Sequence, residues 1–191
     1  MNGFTQSLRD EYYTCAIEKF DQKDYAGAKD YFTQVIEINP SDSMAYFDRA
    51  MVKDVLKDYR GAIEDYTKQI SIDSESVDSY FLRGMARHEI KDYEGAITDF
   101  TKTVELEPVN ADAYYWRSLS KTELKNYKGA LEDCNRAIER NASSAKYYLQ
   151  RGKLRMTLKQ NTDVCKDFMS YLQLGGEQTQ VPIKMPCDKS N

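Results

Sequence analysis

Four arginines recur in the sequence at a fixed 34-residue interval, and their side chains are the best candidates in the chain for binding anions. They are Arg49, Arg83, Arg117 and Arg151. A row of guanidinium groups could bind a row of anions, because each offers a planar fork of donors to carboxylate or phosphate oxygens. Four aspartates recur at the same interval: Asp65, Asp99, Asp133 and Asp167. The same residues could therefore form four internal ion pairs instead.

The start of the chain favours ion pairs over an anion-binding ladder. Both residue types are missing there together, because Cys15 and Tyr31 take the two places. If each arginine met the aspartate of the preceding 34-residue segment, Arg49 would have no partner and Asp167 would be left over. Pairing within a segment leaves no remainder. We therefore expect a partly buried, bidentate Arg–Asp bridge in each of four segments, with anion binding as the functional alternative.

Catalytic chemistry has few candidates in this chain. His88 is the only histidine, so a Ser/His or Cys/His dyad could form only through it. The four cysteines contain no CxxC pair, which leaves no spacing for a zinc site. The motifs GxxxxGK[ST], GxSxG, HExxH and GxGxxG are all missing from the sequence. The sequence predicts a non-enzymatic protein that uses no metal and no cofactor.

A repeated six-residue motif indicates which elements position these side chains. KDYAGA, KDYRGA, KDYEGA and KNYKGA end at Ala28, Ala62, Ala96 and Ala130. A 34-residue period is typical of stacked helix pairs. In the third segment, apolar spacing predicts one helix over 77–90 and a second over 93–106. Asp92 is expected to cap the second helix and Pro108 to end it.

Small residues recur where the two helices of a pair would touch. The first helices carry Ala16, Ala50, Gly84, Ser118 and Gly152 at one phase, and the motif alanines recur in the second helices. Antiparallel helices approach closely only where one side chain is small, and a neighbouring aromatic fills the remaining space. In the first helices this aromatic is expected to be Tyr12, Tyr46, Tyr80, Tyr114 or Tyr148.

Together these features resemble the tetratricopeptide repeat (TPR) family. Five repeats span about residues 9–42, 43–76, 77–110, 111–144 and 145–176. The resemblance implies an all-α fold, in which antiparallel helix hairpins form a TPR-type α-solenoid with a right-handed superhelical arc. It also implies a single domain over 1–176. The chain departs from the family where arginine replaces the usual leucine in four repeats, and at 159–164 (KQNTDV), which lacks the motif tyrosine, glycine and alanine.

The resemblance further implies a concave groove lined by the first helix of each repeat. From the helix period, the residues that follow the tyrosine and the small residue should face this groove. Nine of these ten places are large and apolar: Tyr13, Ile17, Phe47, Met51, Phe81, Met85, Tyr115, Leu119 and Leu149. We call these nine residues the inner strip. Contiguous exposed apolar surface usually marks an interaction site.

The inner strip predicts a protein–protein interaction scaffold that binds an apolar peptide or helix in the groove. Four acidic residues are expected at its edge: Asp21, Asp54, Glu89 and Glu123. The expected partner is therefore a protein or peptide that is apolar with some basic character. A chaperone's acidic C-terminus is disfavoured, because Tyr13 and Ile17 replace the lysine and asparagine with which related TPRs clamp such a carboxylate. The alternative is a homo-oligomerising structural module whose groove is filled by itself or by its own tail.

Composition argues against two other kinds of partner. The 27 basic and 31 acidic residues give a net charge of −4, so we expect no nucleic acid. No apolar run approaches the length of a membrane-spanning helix, so we expect no membrane partner. The segment 1–20 holds no long apolar run, which predicts a cytoplasmic location, with a previously removed export signal left open.

A tail follows the last repeat. Gly175 and Gly176 are expected to end the last helix. Residues 177–191 form this tail, which is expected either to be extended and frayed or to cap the fifth repeat.

Overall fold

The computed structural model describes residues 3–160 and 163–182, and every regular element in this part of the chain is helical. The α-helices are α1 (Gly3–Asp21), α2 (Tyr25–Ile38), α3 (Ser43–Val55), α4 (Tyr59–Ile72), α5 (Val77–Glu89), α6 (Tyr93–Leu106), α7 (Ala111–Glu123), α8 (Tyr127–Arg140), α9 (Ala145–Thr157) and α10 (Val164–Gln173). A 3₁₀ helix follows at Gln178–Gln180. The all-α prediction is confirmed, and both helices of the third repeat lie within a residue of their expected bounds.

Consecutive helices pack as hairpins within two compact units. The first unit ends at Asp99 and the second begins at Phe100. In the first unit, α1 packs on α2 and α3 packs on α4, while α2–α3 and α4–α5 contacts join successive hairpins. In the second unit, α7 packs on α8 and α9 on α10, with α8 touching α9. The stacked hairpins expected from the 34-residue period are thus present in each unit, and a single domain over 1–176 stays a prediction.

The six-residue motif forms the tight turn between the two helices of a hairpin. Its lysine adopts a left-handed backbone in every case, with φ between 59° and 65° at Lys23, Lys57, Lys91 and Lys125. The next residue caps the second helix, as predicted: a side-chain oxygen of Asp24, Asp58, Asp92 or Asn126 accepts a hydrogen bond from the N–H three residues later at 3.0–3.2 Å. A left-handed lysine usually costs roughly 1–2 kcal/mol, which the surrounding hairpin must offset.

The motif glycine is the residue whose N–H is capped, and in the first three repeats the aspartate cap leaves no room for a side chain. A Cβ built on Gly61 would lie 2.4 Å from Oδ2 of Asp58, and one built on Gly95 would lie 2.2 Å from Oδ2 of Asp92. Real Cβ atoms essentially never come so close. Glycine is therefore needed here for a close approach to the capping carboxylate.

The last hairpin departs from this pattern, as its sequence suggests. Helix α10 begins only at Val164, and the side chain of Asp163 makes no capping bond. The helix terminates just before Gly175, whose φ of +86° is open to glycine, and the N–H of Gly176 donates to the carbonyl of Tyr171 at 2.9 Å. The predicted glycine terminator is therefore present.

The start of the tail lies against this hairpin. Val181 is 5% exposed and joins the buried cluster of Val164, Phe168 and Tyr171. The N–H of Glu177 donates to the hydroxyl of Tyr171 at 2.8 Å. The rest of the tail, 183–191, lies outside the described residues.

We expect the effect of Gly61→Ala on the free energy of unfolding to depend on whether Asp58 is present. In the wild-type chain it should lower the free energy of unfolding, because displacing the Asp58 cap costs about 1–2 kcal/mol. In an Asp58→Ala background the same change should raise that free energy by about 0.5–1 kcal/mol, because alanine is the better helix former. Urea unfolding followed by circular dichroism measures both. Equal effects in the two backgrounds would show that the cap does not require the glycine.

We also expect Val181→Ser to lower the free energy of unfolding by about 1–3 kcal/mol, because it removes a buried apolar side chain from the α10 cluster. Gln180→Ser is the matched control, because Gln180 is exposed one residue away. Equal unfolding midpoints for the two variants would indicate a frayed tail.

Candidate functional site

Each repeated arginine lies against the aspartate of its own repeat. Nε and Nη2 both donate to the carboxylate at 2.6–3.1 Å in Arg49–Asp65, Arg83–Asp99, Arg117–Asp133 and Arg151–Asp167. The aspartate side chains are at most 5% exposed. Each bridge joins the first helix of its hairpin to the second, in the bidentate geometry that a guanidinium favours.

The remaining nitrogen of each arginine reaches the preceding repeat. Nη1 donates at 3.0–3.1 Å to the side-chain oxygen of Thr33, Thr67, Thr101 or Asn135. These acceptors recur at the same interval as the arginines, a regularity from which sequence reasoning could have found them. With all three nitrogens bonded inside the protein, the arrangement favours a structural role for the arginines over an anion-binding ladder.

Each aspartate has a second cation, which the sequence analysis missed. Lys53, Arg87, Lys121 and Arg155, one helical turn after the arginine, lie 2.7–2.8 Å from the carboxylate. The tyrosines of repeats two to five, expected in the hairpin core, are only half-buried. Their rings also lie under the guanidinium groups, with centroids 5.4–5.7 Å from the arginine Cζ. Tyr46 and Tyr148 pack against buried core clusters as expected, so the cation–π contact adds to a packing role.

Repeat one fills the same place without ions. The Tyr31 ring lies 6.0 Å from the Tyr12 ring in a tilted arrangement, where the other repeats have their carboxylate. An aromatic pair thus replaces the bridge, and Cys15 beside it is half-buried.

We expect Asp99→Ala to lower the free energy of unfolding by about 3–5 kcal/mol, because it leaves the guanidinium groups of Arg83 and Arg87 without their carboxylate. The double variant Arg83→Met with Asp99→Leu should cost less, since it removes the Arg83 guanidinium together with its carboxylate and leaves only Arg87, which already lies 3.7 Å from Asp92. Chemical denaturation measures both.

The control is Glu105→Ala, which removes an exposed acid that lies 3.9 Å from Lys102. It should change stability by at most about 1 kcal/mol. Equal losses for Asp99→Ala and the double variant would contradict a buried bridge.

The inner strip of the first unit is partly open. Ile17 and Met51 are 40% and 37% exposed. Tyr13 lies edge-on to Phe32 with ring centroids 5.5 Å apart, and Phe47 lies edge-on to Tyr66 at 5.9 Å. These aromatic rings contact the second helices with one edge. They are half-buried, neither core residues nor fully solvated ones.

Two pockets lie along this part of the strip. The first pocket holds about 90 Å³ and is lined by Ile17, Phe20, Phe32, Asp48 and Met51. The second pocket holds about 240 Å³ and is lined by Asp54, Tyr59, Leu82, Met85, Ala86 and Glu89. Each contains an inner-strip methionine. Their walls are mostly apolar, with one or two carboxylates.

In the second unit the inner strip is more covered. Tyr115 lies 5.3 Å from the Tyr147 ring and beneath the ammonium of Lys146, 5.1 Å from the ring centroid. Leu149 packs against the buried cluster of α10, and Leu119 is half-buried. The first unit therefore offers the more accessible apolar surface.

Acidic side chains in the first unit are held in partly buried sites. The Asp48 carboxylate accepts a hydrogen bond from the Tyr13 hydroxyl, and burial raises the pKa of this carboxyl. Asp54 accepts from the Tyr66 hydroxyl at 2.8 Å, and burial raises its pKa to about 6 despite this bond. Of the four acids expected at the groove edge, Asp54 and Glu89 share the second pocket, whereas Asp21 and Glu123 are exposed.

Repeated hairpins with apolar residues on their first helices define the class: this is a repeat protein of stacked helix pairs. Two family models described as tetratricopeptide repeat match the chain, over residues 12–42 and 81–146. The chain belongs to the tetratricopeptide repeat family. A comparison with curated protein sequences finds no match.

Solved structures of several TPR proteins are similar to this chain at low sequence identity. MamA (41-end) from Desulfovibrio magneticus RS-1 is 17% identical with a TM-score of 0.83, over 87% of this chain and 94% of that one. YrrB, described as a TPR protein with an unusual peptide-binding site, is 14% identical with a TM-score of 0.80, over 94% and 95%. PilF of Pseudomonas aeruginosa is 20% identical with a TM-score of 0.76, over 92% and 80%. At such identities the likeness establishes the fold.

Neither a membrane span nor a metal cluster occurs among the described residues. None of their helices is both long and apolar enough to cross a membrane. Within the same part of the chain, no group of three or more histidine, cysteine or acidic side chains could hold a metal ion.

Proposed function

We propose that this protein is a non-enzymatic interaction scaffold that binds an apolar peptide or helix, with some basic character, along the inner strip. The observation that carries the proposal is the pair of mainly apolar pockets on the first unit, each with an inner-strip methionine in its wall. Methionine adapts its shape to different apolar partners, and aromatic rings provide rigid anchors.

The size of the pockets favours a peptide over a small molecule. Volumes of about 90 and 240 Å³ are below the roughly 300–1,000 Å³ typical of small-molecule sites. A segment of another protein can instead place successive side chains in successive pockets. Asp48, Asp54 and Glu89 add negative charge beside this surface, so charge complementarity selects a partner with basic side chains.

We expect Phe81→Ser with Met85→Ser to weaken peptide binding about 10- to 100-fold, because centrally placed aromatic contacts dominate binding energy. The probe is a displayed library of random 12-residue peptides, selected on the wild-type chain and then measured individually by fluorescence anisotropy. The matched control is Met44→Ser with Met169→Ser, which replaces two apolar residues outside the strip, each 54% exposed.

Folding is checked by the melting temperature of each variant. If the double variant melts early, Ile17→Glu tests the same strip at a residue that is already 40% exposed. Peptide binding that survives in folded strip variants would overturn the proposal. A concentration-independent dimer that cannot bind peptides until it is dissociated would favour the homo-oligomerising alternative.

A further inference from the structure

The two pockets of the first unit occupy the same place in successive repeats. Met51 in the first pocket and Met85 in the second are one repeat apart. The same shift relates Phe20 in the first pocket to Asp54 in the second, and Asp48 in the first to Leu82 in the second. The two pockets therefore share a position in the fold, but the acidic residue stands on opposite walls: where one pocket has an apolar side chain, the other has an aspartate.

In the first pocket, the acid is engaged by the protein. The Asp48 carboxylate accepts a hydrogen bond from the Tyr13 hydroxyl. The facing wall is apolar, formed by Phe20 and Phe32. This pocket suits an apolar side chain.

In the second pocket, the corresponding wall carries an incompletely bonded carboxylate. Tyr66 stands where the first pocket has Phe32, and its hydroxyl donates to Oδ2 of Asp54. Oδ1 of Asp54 is buried and has no hydrogen-bond partner within the described part of the chain. A buried acceptor of this kind is costly unless a donor reaches it, so a bound donor would be favoured there.

The other walls complete a site for a long basic side chain. Leu82, Met85 and Ala86 are apolar, and the exposed Glu89 adds a second carboxylate. Lysine and arginine combine an apolar stem with a cationic head, so they match apolar walls that lead to carboxylates. A charged donor also makes a stronger hydrogen bond to a carboxylate than a neutral one does.

We infer that the second pocket binds a lysine or arginine side chain of the partner peptide, with its stem on Leu82 and Met85 and its head at Asp54 and Glu89, while the first pocket takes an apolar side chain. This inference rests on the proposed function, since it assigns the roles of two pockets within the same peptide site. The partner segment is thus one that carries an apolar and a basic residue at a fixed separation.

The test uses the random 12-residue display library on the full chain. Peptides selected by the wild type should carry lysine or arginine at a constant distance from a large apolar residue. In the variant Asp54→Asn with Glu89→Gln, the basic preference should disappear and the apolar preference remain. Asparagine keeps an oxygen acceptor for the Tyr66 hydroxyl, so this variant removes charge with little change in packing. Glu105→Gln is the matched control, because it removes an exposed carboxylate that lines neither pocket, and it should leave the basic preference intact.

A selected peptide and its lysine-to-norleucine analogue give the quantitative comparison by anisotropy. The wild type should bind the lysine form about tenfold more tightly, and the Asp54→Asn, Glu89→Gln variant should bind both forms equally. A wild-type preference that persists in this variant would overturn the pocket assignment alone. Selected peptides without basic enrichment would overturn this assignment and the basic character of the proposed partner, but not the peptide site. Selected peptides that bind the Phe81→Ser, Met85→Ser variant as well as the wild type would instead overturn the peptide site itself.

Discussion

A buried, bidentate bridge between arginine and aspartate holds each hairpin of repeats two to five together. It joins the two helices of a hairpin, and the third guanidinium nitrogen bonds to the second helix of the preceding repeat, as from Arg83 to Asp99 and Thr67. One side chain thus couples the inside of a repeat to its neighbour. A buried aspartate without these donors would be strongly unfavourable, so the arrangement resists any slip of one helix along another.

The turn sets the second constraint. The motif places a left-handed lysine directly before the capping residue, and the capped glycine follows three residues later. Asp58 caps the N–H of Gly61 at 3.1 Å, and any Cβ on that glycine would meet the carboxylate. Because the turn is short, it limits how the two helices of a hairpin can rotate relative to each other. That orientation decides which residues form the inner strip.

The strip is uneven because the same positions serve both packing and surface. Phe47 packs one edge against Tyr66, and Leu149 packs against the α10 cluster, so these residues support the hairpins as well as forming surface. Ile17 and Met51 are more open. Small exchanges at equivalent positions, such as Phe20 for Asp54, then make neighbouring pockets chemically different without changing the backbone that builds them.

Residue patterns along the chain were enough to predict the helix pairs, the 34-residue period, the caps and the partner of each arginine. These are local or periodic properties. A cap involves only the residues of the first helical turn. Because the arginine and the aspartate are both missing from repeat one, the sequence also indicates that they pair with each other. Three features needed the packed structure: the position of the Tyr80 ring under Arg83, the uneven burial of the inner strip, and the Asp54 oxygen that has no hydrogen-bond partner among the described residues. The reason is geometric. These features depend on where side chains from different helices meet. The spacing of residues in the sequence predicts the helix face on which a side chain lies, but not how deeply it is buried in a packed interface.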